Sequence, residues 1–132
     1  MQLYRTAPIL VICFNRFKSH NLALNEKMND KINFPVYGLD MAPYVLSCQE
    51  DADQNSNGPL IYDLHGVINH YGELNYGHYT AMARNSEAGD QWFNYNDSVV
   101  TKIGDSDSEI VTDAAYVLFY KLRDFEYTKM HK

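Results

Sequence analysis

Apolar residues fall along this chain in short runs, most of them alternating or β-branched, separated by polar stretches rich in Asn. The first run, Pro8 to Phe14, is continuously apolar and rich in Ile and Val, the pattern of a strand buried on both faces. From Arg16 to Asn33 the chain turns polar, which predicts a loop or an irregular hairpin. Ile32 to Val36 reads as a short extended piece, and Pro35 puts it at a sheet edge or a strand end. Leu39 to Leu46 predicts one or two helical turns, capped by Asp40 and carrying Pro43 in the first turn. Cys48 to Pro59 is acidic, rich in Asn and Gln, and closes on Asn57-Gly58-Pro59, so it is a loop.

Beyond that loop the period shortens to two. Ile61 to His70, His78 to Arg84 and Gln91 to Tyr95 each read as strands. Asn69 to Gly77 contains two glycines and predicts a mobile hairpin loop between the first two; Glu87 to Asp90 predicts a turn before the third. Val99 to Ile103 adds a short strand, Asp107 to Thr112 a brief helical turn, and Ala114 to Lys121 a last strand. The tail from about residue 125 is charged and expected to fray. No segment repeats. The result is a mainly β chain: an antiparallel sheet of about five or six strands with short helical turns.

Composition narrows the partners. A chain of 132 residues fits one domain or a large piece of one, and 45% hydrophobic residues suffice for a core. The 11 tyrosines suit half-buried strands and contact surfaces. A net charge of -6 argues against a nucleic-acid partner and favours one with a basic patch or tail. No apolar run is long enough for a bilayer and the start lacks a secretory leader pattern, so no membrane and an intracellular setting, cytoplasmic or nuclear, are expected. Cys13 and Cys48 form no short-spaced pair, which disfavours a disulfide scaffold and a Cys-based zinc site. His65, His70 and His78 match no standard ligand spacing, so no metal or other cofactor is expected. The abrupt start in core-like strand is what a chain cut from something longer shows.

The chemistry gathers around His78. It sits in Tyr76-Gly77-His78-Tyr79-Thr80, and Asn96-Asp97-Ser98 follows at the end of the next predicted strand. A histidine oriented by a side-chain amide is the pair that activates a thiol for acyl transfer, the amide fixing the tautomer. Hairpin pairing brings Asn96 beside His78; Asp97 is an alternative or a supplement, and spacing does not choose between them. Gly77 lets the backbone approach an extended peptide closely. Cys13 precedes His78 and Asn96 in papain-like order, yet it lies in an apolar strand and not at an exposed helix N-terminus, so it reads as a small core residue. Cys48 reads as incidental. Trp92, Phe93, Tyr95, Tyr116 and Phe119 read as sheet core, not a platform for stacking bases.

Five stretches, residues 7–17, 32–41, 62–85, 92–100 and 114–124, closely resemble, in order, the C-terminal half of the ubiquitin-specific protease catalytic domain. The pairing of Gly77-His78-Tyr79-Thr80-Ala81 with Trp92-Phe93 and Tyr95-Asn96-Asp97-Ser98 is the most specific part of the likeness. The resemblance implies a papain-like thiol protease fold, α+β as a whole, that cleaves after the C-terminal glycine of ubiquitin. It implies His78 as general base, Asn96 as its orienting partner and Asp97 as an adjacent polar residue. Arg16 and Phe17, with the loop from Lys18 to about Asn33, match the family's first loop over the substrate tail. Asn69 to Gly77 matches the second loop, and Tyr79 would line the channel for the diglycine tail.

The sequence contains no Gly-Asn-Thr-Cys stretch and no zinc-binding fingers region. Residues 1–132 are therefore expected to be the palm-side half of such a domain, partnered by its N-terminal half and by ubiquitin or ubiquitinated proteins. Without a thiol nucleophile the fragment alone is expected to be inactive, and its uncovered apolar face to self-associate. The alternative is a non-catalytic module that binds ubiquitin or scaffolds a complex.

Overall fold

The computed structural model describes residues 2–21, 24–47, 59–74 and 76–123. Nine strands are seen: β1 (Ile9–Cys13), β2 (Phe17–Asn21), β3 (Leu24–Lys27), β4 (Leu39–Asp40), β5 (Ile61–Tyr71), β6 (His78–Asn85), β7 (Gln91–Asn96), β8 (Val99–Lys102) and β9 (Ala115–Leu122). A short helix, α1 (Asp107–Ile110), precedes β9, and helical backbone is also seen at Leu46 and Ser47. Seven strands form one antiparallel sheet in the order β1-β9-β5-β6-β7-β8, with β4 beside β5; β2 and β3 make a separate hairpin. The chain is thus mainly β with little helix, as the alternation predicts. The expected irregular hairpin is present too, with a register shift between Ser19 and Asn21.

One face of the sheet supplies the core. Leu64 and Val67 of β5, Met82 of β6, Trp92 of β7, and Leu118 and Tyr120 of β9 are buried together. Phe34, Val36, Met41, Val45, Ile110 and Val111, from outside the long strands, complete the cluster. Buried tyrosines need a partner for their hydroxyls. Tyr120 donates to the Pro35 carbonyl at 2.7 Å and Tyr62 to the Ala7 carbonyl at 2.6 Å. Burial pushes the Tyr120 phenol far above its ordinary pKa.

Several expectations change. β1 is not buried on both faces. It is an end strand of the sheet: Leu10 and Ile12 pack on the core, while Ile9 is 40% and Val11 53% exposed. Cys13 shares the parity of Ile9 and Val11 and is exposed, so it is not a core residue. Residues 32–36 form no strand at the sheet edge. They pack on the core instead: Phe34 and Val36 are buried and the Val36 carbonyl accepts from the Leu64 N–H. Of the stretch expected to form helical turns, 39–46, residues 39–40 form β4, Ala42–Tyr44 form a 3-10 turn, and helical backbone begins at Leu46. The N-cap position falls to Met41, which gives no side-chain cap; Asp40, one residue earlier, accepts from the Ala42 N–H at 3.0 Å. Of the five aromatics expected in the core only Trp92 is fully buried; Phe93, Tyr95, Tyr116 and Phe119 are half-buried. The loop from Cys48 and the tail from about 125 fall largely or wholly outside the described residues, as does Cys48.

The other face of the sheet is apolar as well. Cross-strand pairing aligns Val117, Ile68, Ala81 and Tyr95 in one row, and Val11, Phe119, Gly66, Ala83 and Phe93 in the next. A groove of about 270 Å³ opens on this face, lined by Ile9, Gly66, Ile68, Ala81, Ala83 and Phe119. No helix among the described residues is long and apolar enough to cross a membrane.

The far end of the sheet is held by charge. Arg123 grips Asp63 through two nitrogens, Nε at 2.9 Å and Nη2 with the shorter contact of 2.6 Å. The Arg123 hydrogen bond holds the Asp63 carboxyl below its ordinary pKa, aided by the Gly38 N–H and opposed by burial. A carboxylate depressed in the folded state adds stability above its unfolded pKa of about 3.9, and that stability is lost as pH falls through the folded value. Urea unfolding of the wild-type protein and of Arg123→Ala should therefore differ most above about pH 4 and draw together as pH falls further, through the folded Asp63 pKa.

Candidate active site

β5 and β6 form a hairpin whose register ends on the pairs His70↔Tyr79 and Tyr71↔His78. That register puts His78 at the first position of β6, at the sheet's end. β7 then runs beside β6, finishing at Asn96, and a tight turn at Asp97 and Ser98 leads into β8. Asp97 has φ 51°, the left-handed region that Asp tolerates better than most residues. The turn therefore presents Asn96 towards the end of β6. His78 Nε2 and Asn96 Oδ1 are 2.7 Å apart.

The chemistry of that contact is directional. An amide carbonyl oxygen only accepts, so Nε2 carries the proton and donates it. Nδ1 is then left with its lone pair. Both side chains are exposed, which gives another group access to that lone pair. Asp97 makes no hydrogen bond to the imidazole among the described residues, and its backbone conformation gives it a role as the turn-former. Of the two residues that spacing left open, Asn96 is the one in hydrogen-bond contact with the imidazole.

The remaining sequence-predicted residues surround an aromatic cluster. Tyr79 is 55% exposed, and its ring lies 4.8 Å from that of His70. Phe17 meets His70 edge-on at 5.8 Å and Tyr116 at 5.9 Å. Arg16 does not reach an open surface. It is buried, and its Nε donates to the Ala115 carbonyl at 2.7 Å while Nη1 donates to Met28 and Asp30. Arg16 therefore staples the β2–β3 hairpin to the start of β9. Gly77 is exposed on one side and faces the His70 ring on the other.

Three residues of this region carry no sequence signal that singles them out. Lys27 is buried and donates from Nζ to the His70 carbonyl at 2.9 Å; burial first, then Arg16, lowers its pKa. His70 is 2% exposed, and burial, with Lys27, lowers its pKa, so its ring is neutral near pH 7. Tyr116 joins the cluster because β9 shifts register between Ile68 and Asn69, turning its ring to the same end. Burial and the neighbouring Cys13 push its phenol up. His65, His70 and His78 do not converge, and no group of three metal-ligating side chains forms among the described residues.

Comparison with known proteins places the chain in a family. A family model described as ubiquitin carboxyl-terminal hydrolase matches residues 1–120. The chain is 41% identical over 127 residues to ubiquitin carboxyl-terminal hydrolase 4 of Pongo abelii, covering 96% of this chain and 12% of that protein. It is 38% identical over 125 residues to ubiquitin carboxyl-terminal hydrolase 15 of Homo sapiens, covering 94% and 12%. Among solved structures, the SAGA Ubp8/Sgf11/Sus1/Sgf73 DUB module bound to ubiquitin aldehyde superimposes with a TM-score of 0.78 at 35% identity, covering 95% of this chain and 26% of that one. A second, the Ubp8(C146A) module bound to monoubiquitin, gives 0.75 at 34% identity over 95% and 25%. The chain thus spans about an eighth of the curated relatives' length (12%) and about a quarter of the solved chains (26%). With that match over most of its length, and with a histidine and an amide paired at the end of its sheet, this chain belongs to the ubiquitin carboxyl-terminal hydrolase family.

Proposed function

We propose that this chain supplies the general base and its orienting partner to a thiol deubiquitinase, the nucleophilic cysteine coming from the rest of the same catalytic domain. The observation that carries the reading is the 2.7 Å contact between His78 Nε2 and Asn96 Oδ1. It leaves Nδ1 to take the thiol proton. The thiolate then attacks the carbonyl carbon of ubiquitin's C-terminal glycine, and the imidazolium returns the proton to the departing amine. Water next attacks the thioester, His78 accepting its proton, and the thiol is regenerated. Tyr79 and Phe17 would line the path of the diglycine tail, beside Gly77, with Arg16 holding the first loop in place.

The second apolar face supports a missing half. Pro8 to Phe14 has the composition of a strand covered on both sides, yet Ile9 and Val11 stand exposed. The N-terminal half of the domain would cover that face and deliver the cysteine. An intracellular setting, cytoplasmic or nuclear, fits a thiol enzyme of this kind.

Labelling the full-length protein with a ubiquitin derivative carrying a cysteine-reactive C-terminus tests the reading. His78→Ala should slow adduct formation by about 10²- to 10⁴-fold. Labelling at an unchanged rate would rule His78 out as the base.

A further inference from the structure

We propose that His70 is a positioning residue for His78: its buried imidazole is the shelf on which Gly77 rests, and that shelf sets where the chain enters β6. The inference builds on His78 acting as the base. Its evidence is independent, because it concerns backbone placement.

Gly77 is not a glycine for conformational reasons, since its φ is not among the positive values. Space is the reason. A Cβ placed on Gly77 would overlap His70 Nε2, and would stand 2.6 Å from Cε1 and 2.8 Å from Cδ2. Real Cβ atoms do not approach that closely, so the imidazole occupies the volume a side chain would need. The ring cannot easily yield. Tyr79, Phe17 and Tyr116 surround it at 4.8, 5.8 and 6.1 Å.

The backbone of His70 is fixed as well. Its N–H donates to the Ala114 carbonyl at 2.9 Å, and its carbonyl accepts from Lys27 Nζ at 2.9 Å. His70 is therefore tied to β9 on one side and to the β2–β3 hairpin on the other. His78 is held less firmly, pairing only with Tyr71 at the last rung of the β5–β6 ladder. It is exposed, it opens its strand, and among the described residues its side chain hydrogen-bonds Asn96 alone. With the neighbouring residue seated on a rigid ring, the imidazole of His78 arrives at the height of Asn96. A displacement of about 1 Å at such a pair costs on the order of 100-fold in rate.

A suppressor experiment in the full-length protein tests this. Gly77→Ala should lower kcat on a ubiquitin-derived fluorogenic substrate by about 100-fold with KM nearly unchanged. Adding His70→Ala vacates the volume the methyl needs, so the double variant should recover at least about tenfold in kcat. Crystal structures give a readout free of activity: the His78–Asn96 contact should open in Gly77→Ala and close again in the double variant. Should Gly77→Ala not fold, a folded double variant supports the shelf and an unfolded one overturns it. A double variant no better than Gly77→Ala in both kcat and geometry also overturns it. If His78→Ala leaves probe labelling unchanged, the catalytic reading fails, and the crystallographic contact alone decides the shelf.

Discussion

Asn96→Ala in the full-length protein is expected to lower kcat by about 10²- to 10⁴-fold with little change in fold. The side chain is exposed and sits at the end of β7, so its removal leaves no cavity. What is lost is the acceptor 2.7 Å from His78 Nε2. Without it the imidazole is free to rotate and to take the other tautomer, in which Nδ1 carries the proton and no longer accepts one from a thiol. Asn96→Asp keeps an acceptor in place and should retain far more activity than Asn96→Ala. Steady-state kinetics on a ubiquitin-derived substrate distinguish the two, and an Asn96→Ala enzyme with unchanged kcat would exclude the orienting role. Asp97→Ala should act differently. It disturbs a turn residue at φ 51° and should be milder than Asn96→Ala, shifting stability and the placement of Asn96 together.

The largest stability effect is expected at Trp92. It is 1% exposed and heads the fully buried side chains by volume. It lies on β7, between β6 and β8, facing Met82, Leu118 and the other core residues. Trp→Ala at such a site costs about 3–5 kcal/mol through lost burial and an unfilled cavity. Whole domains are stable by only about 5–15 kcal/mol, so the variant should be partly unfolded or close to it at 37 °C. The indole Nε1 has no partner among the described residues, an offset that favours the lower part of that range. Trp92→Phe keeps an aromatic ring in the cavity and should lose less. Urea or thermal unfolding followed by circular dichroism measures both, and a Trp92→Ala protein within 1 kcal/mol of wild type would show that the core closes without it.

The strands were legible because period-two alternation follows from the pleat, and the pleat from burying one face. β5, β6, β7 and β9 appear within a few residues of the expected bounds. β1 was legible as a strand and misjudged in burial, and Cys13 with it. A continuous apolar run says that both faces suit a core; it does not say that both are covered in this chain. Residues 32–36 were misplaced because Pro35 marks an absent N–H donor equally well in an edge strand and in a segment packed on a core. Arg16 was expected at the substrate and is found buried on three carbonyls. Nothing in one residue's identity tells which acceptors the fold will bring to it.

The ordered string of amino acids was enough to establish a mainly β chain, the two hairpins that bring His78 and Asn96 to one end of the sheet, and a likeness to thiol proteases acting on ubiquitin. Those properties rest on local pattern and on motif spacing, which a linear chain carries in full. Distance and crowding belong to three dimensions. Folding put Asn96 in hydrogen-bond contact with His78, opened one side of β1, sent Arg16 and Lys27 to backbone carbonyls, and seated Gly77 on the ring of His70. Each of these depends on register shifts and on contacts between segments far apart in the chain, so no short window of sequence contains the information.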